Sequence, residues 1–225
     1  MLTDTSFSRM ERNLTRVRDH IETAALRAGR RPSDVRIIAV TKSVGLPEVH
    51  ALWKLGVRDF AENRLDSARG KIAGFTFRPT WHMIGNVQRR KAREVVQLFD
   101  AIDAVDRPEL ALELEKRCAE LGRTLPVLLE VNVSHEATKH GVGPEQLPGL
   151  LDAMAQCPHL RAEGLMTMAP FEADPEATRP VFATLRELAA QYGLHELSMG
   201  MTNDYQVAVE EGATQVRIGT ALFEQ

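Results

Sequence analysis

Residues 35–42 read Val35-Arg36-Ile37-Ile38-Ala39-Val40-Thr41-Lys42, a run of apolar and largely β-branched residues that ends in a lysine. This pattern is typical of a buried parallel strand with the lysine at its carboxyl end. An amine at the end of a buried strand costs desolvation free energy unless it is paired or used covalently. Lys42 is therefore either a side chain that extends to the rim, or a Schiff-base lysine whose neutral amine attacks an aldehyde or ketone.

The composition predicts a soluble protein with a single domain over residues 1–225. Of its 225 residues, 44% are hydrophobic and 26% are charged, and the formal net charge is −3. This charge lacks the basic excess of most nucleic-acid-binding proteins, and no apolar run reaches the ~20 residues of a membrane span. Cys118 and Cys157 have no metal-binding spacing and indicate reduced thiols of a cytoplasmic protein. We expect a monomer that binds neither nucleic acid nor membranes.

Segments typical of strands and of helices alternate along the whole chain. A long amphipathic helix is predicted over residues 4–29, inside an N-terminal segment 1–31 that packs on the rest. Strands are predicted over residues 35–42, 57–63, 81–85, 101–106, 127–133, 160–168, 197–201 and 216–223, with helices between them. Because the eighth strand comes as the sequence closes, an α/β (β/α)8 TIM barrel with an additional N-terminal helix is favoured over an open doubly wound sheet.

In such a barrel, functional side chains lie at the carboxyl ends of the strands, and phosphate binds the loops after strands seven and eight. Polar residues do stand at the predicted strand ends: Lys42, Glu62, Asn63, His82, Asn132 and Ser134. The segments 198–204 and 217–220 carry hydroxyls, glycines and a helix start, which suit a phosphate but also an ordinary capped turn. A lysine opposite a phosphate site predicts pyridoxal phosphate (PLP), an aldehyde with a phosphate group.

Three features of the sequence allow two interpretations each. Arg217 shares its strand parity with Gly219, so its guanidinium points inward, either to a pyridine nitrogen or into an ion pair with Glu62. His82 either contacts a ligand ring or is a core histidine with satisfied hydrogen bonds. The basic run 89–93 either binds an anion or is a solvated helix face.

The sequence resembles the pyridoxal-phosphate homeostasis protein family, small relatives of the alanine racemase N-terminal barrel, over nearly its whole length. The resemblance rests on ordered blocks at residues 39–42, 60–63, 81–88, 132–141, 164–166, 198–204 and 216–220. It implies that Lys42 forms an imine with PLP, that Asn63 and His82 flank the ring, and that Arg217 faces the pyridine nitrogen. It also implies a phosphate site around four residues: Ser198, Thr202, Gly219 and Thr220.

Three positions depart from the family pattern. Ala61 stands where the family usually has glycine, and Thr202 stands where it usually has serine. Glu224 and Gln225 stand where the family usually continues through glycine. Thr202 keeps the hydroxyl, so the resemblance still implies a phosphate role for it.

Two classes of function follow, a cofactor carrier and an enzyme. The resemblance implies a protein that holds PLP and acts in its homeostasis without strong catalysis, with PLP-dependent apo-enzymes as candidate recipients. The alternative is a PLP-dependent amino-acid racemase, which needs a second base opposite Lys42, and Tyr205 is the residue nearest in sequence to the site. A Schiff-base aldolase without cofactor is a third reading, and it would need Glu62 as its acid–base carboxylate.

Overall fold

The computed structural model describes residues 3–136 and 138–224, and within them eight parallel strands close into a barrel. The strands are β1 Arg36–Val40, β2 Asp59–Glu62, β3 Thr80–Met83, β4 Ala101–Val105, β5 Leu125–Glu130, β6 Leu160–Met166, β7 Glu196–Ser198 and β8 Gln215–Ile218. Each strand pairs with the next, and β8 pairs with β1. The predicted (β/α)8 barrel is confirmed, and the open sheet is excluded.

Helices precede β1 and connect the strands. They are α1 Asp4–Arg27, α2 Leu46–Lys54, α3 Leu65–Ala73, α4 Ala92–Leu98, α5 Pro108–Leu121, α6 Leu147–Met154, α7 Arg179–Gln191, α8 Tyr205–Glu210 and α9 Thr220–Phe223. The predicted segment 1–31 and domain 1–225 include Met1, Leu2, Ala137 and Gln225, which lie outside the described residues. Within the described parts of the chain, no helix is both long and apolar enough to cross a membrane.

Helix α1 is the additional N-terminal helix that the sequence predicted. Thr3 caps it, because the Thr3 hydroxyl accepts a hydrogen bond from the Ser6 N–H at 3.2 Å. Its apolar face is buried against α8 and α9. The Asn13 amide also donates to the carbonyls of Leu222 and Glu224, at 3.3 and 2.9 Å. These bonds satisfy carbonyls that the end of α9 leaves without helical partners.

Alternation along the strands divides the core into two parts. Ala39 and Phe60 point outward into the large core between strands and helices, whereas Ile38, Val40 and Ala61 form a separate cluster inside the barrel. A side chain's parity on its strand therefore decides whether it meets a helix or the barrel interior.

All eight strands end one to five residues earlier than the sequence suggested, and the physical reason is clear for the eighth and the seventh. The eighth strand was predicted through residue 223, but β8 ends at Ile218, and α9 begins one residue after Gly219. The buried Leu222 is apolar enough for a strand, yet its N–H closes a helical turn onto the Gly219 carbonyl at 2.9 Å. The seventh strand was predicted to residue 201, but it ends at Ser198 because the chain turns at Gly200, whose φ is +89°.

Candidate functional site

A cavity of about 400 Å³ lies at the carboxyl ends of the strands. Six of the residues predicted to bind a cofactor line it: Lys42, Asn63, Thr202, Arg217, Gly219 and Thr220. His82 and Ser198 are not in its lining, because both side chains are buried inside the barrel. A wider cleft of about 610 Å³ lies on the outer surface between α1 and α2, away from any strand end. The smaller cavity is therefore the candidate site.

A buried ion pair supports the end of β1 from which Lys42 extends. Nζ of Lys71, on α3, lies 2.6 Å from a Glu62 carboxylate oxygen and donates to the Thr41 carbonyl at 2.6 Å. The Thr41 hydroxyl donates to the same Glu62 oxygen at 2.5 Å. Glu62 does not line the cavity, whereas the exposed Lys42 does. The carboxylate that the cofactor-free aldolase was predicted to use, Glu62, is therefore paired with Lys71 and lies outside the cavity.

A close backbone approach places Asn63 at the cavity wall. Gly85 follows β3, and a Cβ atom on this residue would lie 2.2 Å from the Asn63 carbonyl oxygen. Only glycine therefore allows the ends of β2 and β3 to come this close. Both Asn63 and Gly85 line the cavity.

The loops after β7 and β8 meet at the opposite wall. A Cβ atom on Gly200 would lie 2.5 Å from the Ala208 Cβ, so the tight turn there requires glycine. The Asp204 carboxylate accepts a hydrogen bond from the Met201 N–H at 2.6 Å, and the Thr202 hydroxyl accepts one from the Ala221 N–H at 3.3 Å. The first bond closes the loop after β7 and the second joins it to the segment after β8, and the small residues of both leave room for an anion beside backbone N–H groups.

Arg217 is buried and reaches the cavity from β8. Its Nη1 donates to the Ser198 hydroxyl and its Nη2 to the Thr167 carbonyl, each at 2.8 Å. Burial lowers the pKa of Arg217, and Asp103, Glu130 and Asp204 oppose that effect. The guanidinium therefore presents a fixed cation to the cavity, and the ion pair with Glu62 that was the alternative is not formed.

The buried His82 belongs to a charged cluster inside the barrel. Its Nδ1 lies 3.0 Å from an Asp103 carboxylate oxygen, and its Nε2 lies 3.4 Å from Asp59. Burial acts to lower the pKa of His82, but Asp103 and Asp59 outweigh it and raise that pKa to about 9. His82 is therefore an imidazolium that is satisfied within the core, and its predicted contact with a cofactor ring stays a prediction.

Glu130 is a cavity residue that sequence reasoning missed. It is the last residue of β5, its exposed fraction is 3%, and it lines the same cavity as Lys42 and Arg217. Burial, together with Asp106, raises the pKa of Glu130 to about 7, against the opposing effect of Arg217. The sequence does contain a feature that could have identified Glu130, because a carboxylate there ends an otherwise apolar β run.

Two exposed residues on separate segments meet at the cavity mouth. The Asn86 amide nitrogen lies 2.9 Å from the His140 Nδ1, and both residues line the cavity. Each belongs to a sequence block noted above for its resemblance, but neither had been given a role. Their contact joins the loop after β3 to the segment after β5 across the opening.

The two tyrosines lie away from this cavity. The Tyr205 hydroxyl lies 2.8 Å from the Nδ1 of His20, on α1, and the buried Tyr205 ring packs in the outer core. Tyr192 also packs against that core. Neither side chain lines the cavity, so neither stands where a second base opposite Lys42 would be required.

In residues 3–136 and 138–224, no group of three or more His, Cys, Asp or Glu side chains could hold a metal ion.

The basic run 89–93 is largely exposed on α4 and the turn before it. Arg93 pairs with Glu120 at 2.9 Å, and Lys91 pairs with Glu94 at 3.7 Å. These pairs favour a solvated helix face over an anion site.

Comparison with known proteins finds relatives over nearly the full chain. A family model described as the alanine racemase N-terminal domain matches residues 8–225. The pyridoxal phosphate homeostasis protein of Pseudomonas aeruginosa is 44% identical over 220 residues, which cover 96% of this chain and 95% of that protein. The protein of the same name from Aquifex aeolicus is 37% identical over 217 residues, which cover 93% of this chain and 95% of that protein.

Solved structures share the same architecture. The structure of PipY from Synechococcus elongatus with PLP bound is similar with a TM-score of 0.79 and 36% sequence identity. The similarity covers 91% of this chain and 99% of the PipY chain.

Proposed function

We propose that the chain, which belongs to the alanine racemase N-terminal domain family and within it to the pyridoxal phosphate homeostasis proteins, binds pyridoxal phosphate through an imine with Lys42 and acts in PLP homeostasis. The observation that carries this proposal is the common cavity of Lys42, the β7 and β8 loops and Arg217. PipY, which has this fold and 36% identity, has PLP bound in its solved structure.

The residues of the cavity fit this cofactor. Bound PLP supplies an aldehyde carbon that a neutral lysine amine attacks, a phosphate group and a pyridine ring. The Lys42 amine is exposed in the cavity, so it can react without breaking a buried contact. Thr202, Gly219 and Thr220 stand where small residues and hydroxyls can hold phosphate oxygens. Arg217 is a permanent cation, so it disfavours protonation of a pyridine nitrogen placed beside it.

Ser198 acts through Arg217 in this proposal. Its hydroxyl accepts from the Arg217 guanidinium and its side chain is fully buried, so it orients the cation rather than touching phosphate. His82 likewise belongs to the interior charge cluster with Asp103 and Asp59, and its contact with the cofactor ring stays a prediction.

The test of the proposal is covalent capture. We expect the protein incubated with PLP to gain a visible imine absorbance, and borohydride to fix the cofactor on the peptide that contains Lys42. Lys42→Ala should remove both signals, whereas Lys116→Ala, on the exposed face of α5, should leave them intact. A parent protein that stays colourless with excess PLP would overturn the proposal, and colour retained by Lys42→Ala would assign the imine to another lysine.

We propose a carrier rather than an amino-acid racemase. A racemase needs an acid–base group on each face of the substrate carbon, and the Tyr205 hydroxyl bonds His20 instead of entering the cavity. We expect little α-deuterium incorporation from heavy water into alanine of either hand. Exchange at the order of 1 per second or faster would restore the racemase reading. His140→Gln would then test the histidine at the mouth as the missing base.

We also propose that residues 1–225 act as one domain and as a monomer, and that PLP-dependent apo-enzymes receive the cofactor. One closed barrel with α1 packed on it, in the residues that the structure describes, supports the first point. Light scattering should give the 25.1 kDa of a single chain. Reactivation of an apo-enzyme by the loaded protein, but not by the borohydride-reduced protein, would support transfer.

A further inference from the structure

Glu130 is a buried carboxyl group in the cavity that receives no hydrogen bond from any described residue. Other buried carboxylates nearby do have donors, since Asp103 bonds His82 and Asp204 accepts from the Met201 N–H. An ionised carboxylate that is buried to this extent is poorly hydrated, so the absence of such donors costs free energy. Glu130 therefore either takes up a proton or meets a partner that the protein itself does not supply.

The charges around Glu130 do not provide that partner. Just after β4, Asp106 adds a like charge and is itself paired with Arg107. From β8, Arg217 offers a cation, but its two Nη atoms donate to Ser198 and Thr167. Lys42 and His140 line the same cavity on exposed segments. Because burial and Asp106 together outweigh Arg217, the pKa of Glu130 rises to about 7, and the group is divided between acid and carboxylate near neutral pH.

A PLP molecule bound here would add negative charge to the cavity that Glu130 lines. A phosphate monoester carries about −1.5 to −2 charges near neutral pH. A carboxylate in the same cavity as such a ligand would be repelled by it, whereas a neutral carboxylic acid can donate its O–H to a ligand oxygen or nitrogen. The ligand therefore favours the protonated form of Glu130.

We propose that Glu130 contacts the cofactor as a neutral carboxylic acid, so that capture of PLP above neutral pH takes up one proton from solvent onto the Glu130 carboxylate. This inference rests on the proposed function, because it requires PLP to enter this cavity. It makes Glu130 a cofactor-binding residue and makes retention of the cofactor weaker as pH rises.

The main experiment compares Glu130→Gln with the parent protein. Glutamine has nearly the same shape and a neutral, hydrogen-bonding side chain, so it imitates the protonated acid. PLP dissociation constants are measured from about pH 6 to about pH 8.5 for the parent, for Glu130→Gln and for the control Glu187→Gln on the exposed face of α7. We expect the ratio of parent to Glu130→Gln dissociation constants to be about tenfold or more larger at the upper pH than at the lower one. The ratio of parent to Glu187→Gln should stay constant.

Two outcomes separate this inference from the proposed function. If parent and Glu130→Gln both capture PLP with the same pH dependence, or if parent affinity rises with pH relative to the variant, Glu130 does not bind as a neutral acid. If neither protein captures PLP at any pH, the proposed function fails and this inference fails with it. Titration calorimetry in two buffers of different ionisation enthalpy should also show the parent taking up nearly one proton more than Glu130→Gln at the upper pH.

A measurement on the parent protein alone does not depend on how the variant folds. The infrared difference spectrum of PLP capture at about pH 8.5 should gain the carbonyl band of a protonated carboxyl group, in protein labelled with carbon-13 at its glutamate carboxyls so that the band shifts. A spectrum without this labelled band would overturn the proposal.

Discussion

Glu62 and Glu130 are both buried glutamates at the last position of a barrel strand, and their surroundings are opposite. Glu62 ends β2 with an exposed fraction of 0%, and Lys71 and Thr41 both bond one of its oxygens. Glu130 ends β5 with an exposed fraction of 3%, and no described residue donates to its carboxylate. The same residue type at the same strand position therefore stabilises the scaffold in one case and faces the ligand cavity in the other.

Strand parity explains the difference. Ala61 and Asn63 lie inside the barrel or on the cavity wall, so Glu62 between them points outward to α3, where Lys71 meets it. Glu130 shares the inward direction of Leu128, which lies in the interior cluster. A carboxylate that points outward can pair with a lysine of a surrounding helix, whereas one that points inward at the mouth of the barrel faces the cavity.

The largest loss of stability should come from removing one partner of the Glu62–Lys71 pair. Lys71→Met leaves the Glu62 carboxylate buried without its cation, and removing one partner of a buried pair costs about 3–5 kcal/mol in the free energy of unfolding. Urea unfolding at neutral pH measures this loss. The control Lys54→Met removes an exposed lysine from α2 and should change stability by no more than about 0.5 kcal/mol.

A double substitution sharpens the same test. Lys71→Met combined with Glu62→Leu removes both charges, so much of the lost stability should return, since a buried pair replaced by apolar residues is often neutral. A loss below about 1 kcal/mol in Lys71→Met would mean that the pair contributes no more than a surface ion pair does.

Glu130, the glutamate without a partner, should show the opposite response, because its replacement should raise stability rather than lower it. Because folding raises the pKa of Glu130 to about 7, the folded state holds this proton between the ordinary glutamate pKa and about pH 7. The stability that this bound proton contributes is thus complete below the pKa of Glu130 in the unfolded chain. It is lost as pH rises through the pKa of Glu130 in the folded protein. Glu130→Gln should therefore gain about 2–3 kcal/mol relative to the parent between about pH 4.5 and pH 8.

Urea unfolding of the ligand-free proteins across this pH range checks that expectation. Glu187→Gln, with its exposed carboxyl, should follow the parent at every pH. A stability difference between parent and Glu130→Gln that does not change with pH would show that Glu130 titrates as an ordinary surface glutamate.

Tyr205 provides an intermediate case, a partly buried polar group whose partner is another side chain. Tyr205→Phe removes the hydrogen bond to His20 and should cost about 1 kcal/mol, the usual net worth of such a bond. Because the hydroxyl points to α1, PLP capture should be unchanged. Absorbance titration with PLP checks this, and His20→Phe should match the stability loss. A large loss of capture in Tyr205→Phe would place the hydroxyl in the site.

The barrel and most of the cavity wall could be predicted from sequence because both depend on local patterns. Apolar runs, strand-end polar residues and glycine loops are visible in order along the chain, so Lys42, Arg217 and the β7 and β8 loops were found. The partners of buried charges could not be predicted in this way. Lys71 meets Glu62 across a helix and strand, and His82 meets Asp103 across two strands, so each pairing depends on the three-dimensional register.

The end of β8 and the role of Glu130 were missed for related reasons. Apolar residues around Leu222 fit a strand and a buried helix equally well, and only packing against α1 decides between them. The apolar neighbours of Glu130 predict its strand correctly, but no role was predicted for the one carboxylate in that run, which is the sign of an inward polar position.

Replacing Lys42 should have the smallest effect on stability and the largest effect on PLP capture. Lys42 is exposed after β1, and the Glu62–Lys71 pair, not Lys42, holds that strand end. Lys42→Ala should therefore change the free energy of unfolding by no more than about 0.5 kcal/mol. The same variant should lose covalent PLP capture, because Lys42 is the one lysine among the described residues that line the cavity. Urea unfolding and borohydride trapping on one preparation test both halves, and a stability loss of several kcal/mol would mean that Lys42 belongs to the scaffold as Glu62 does.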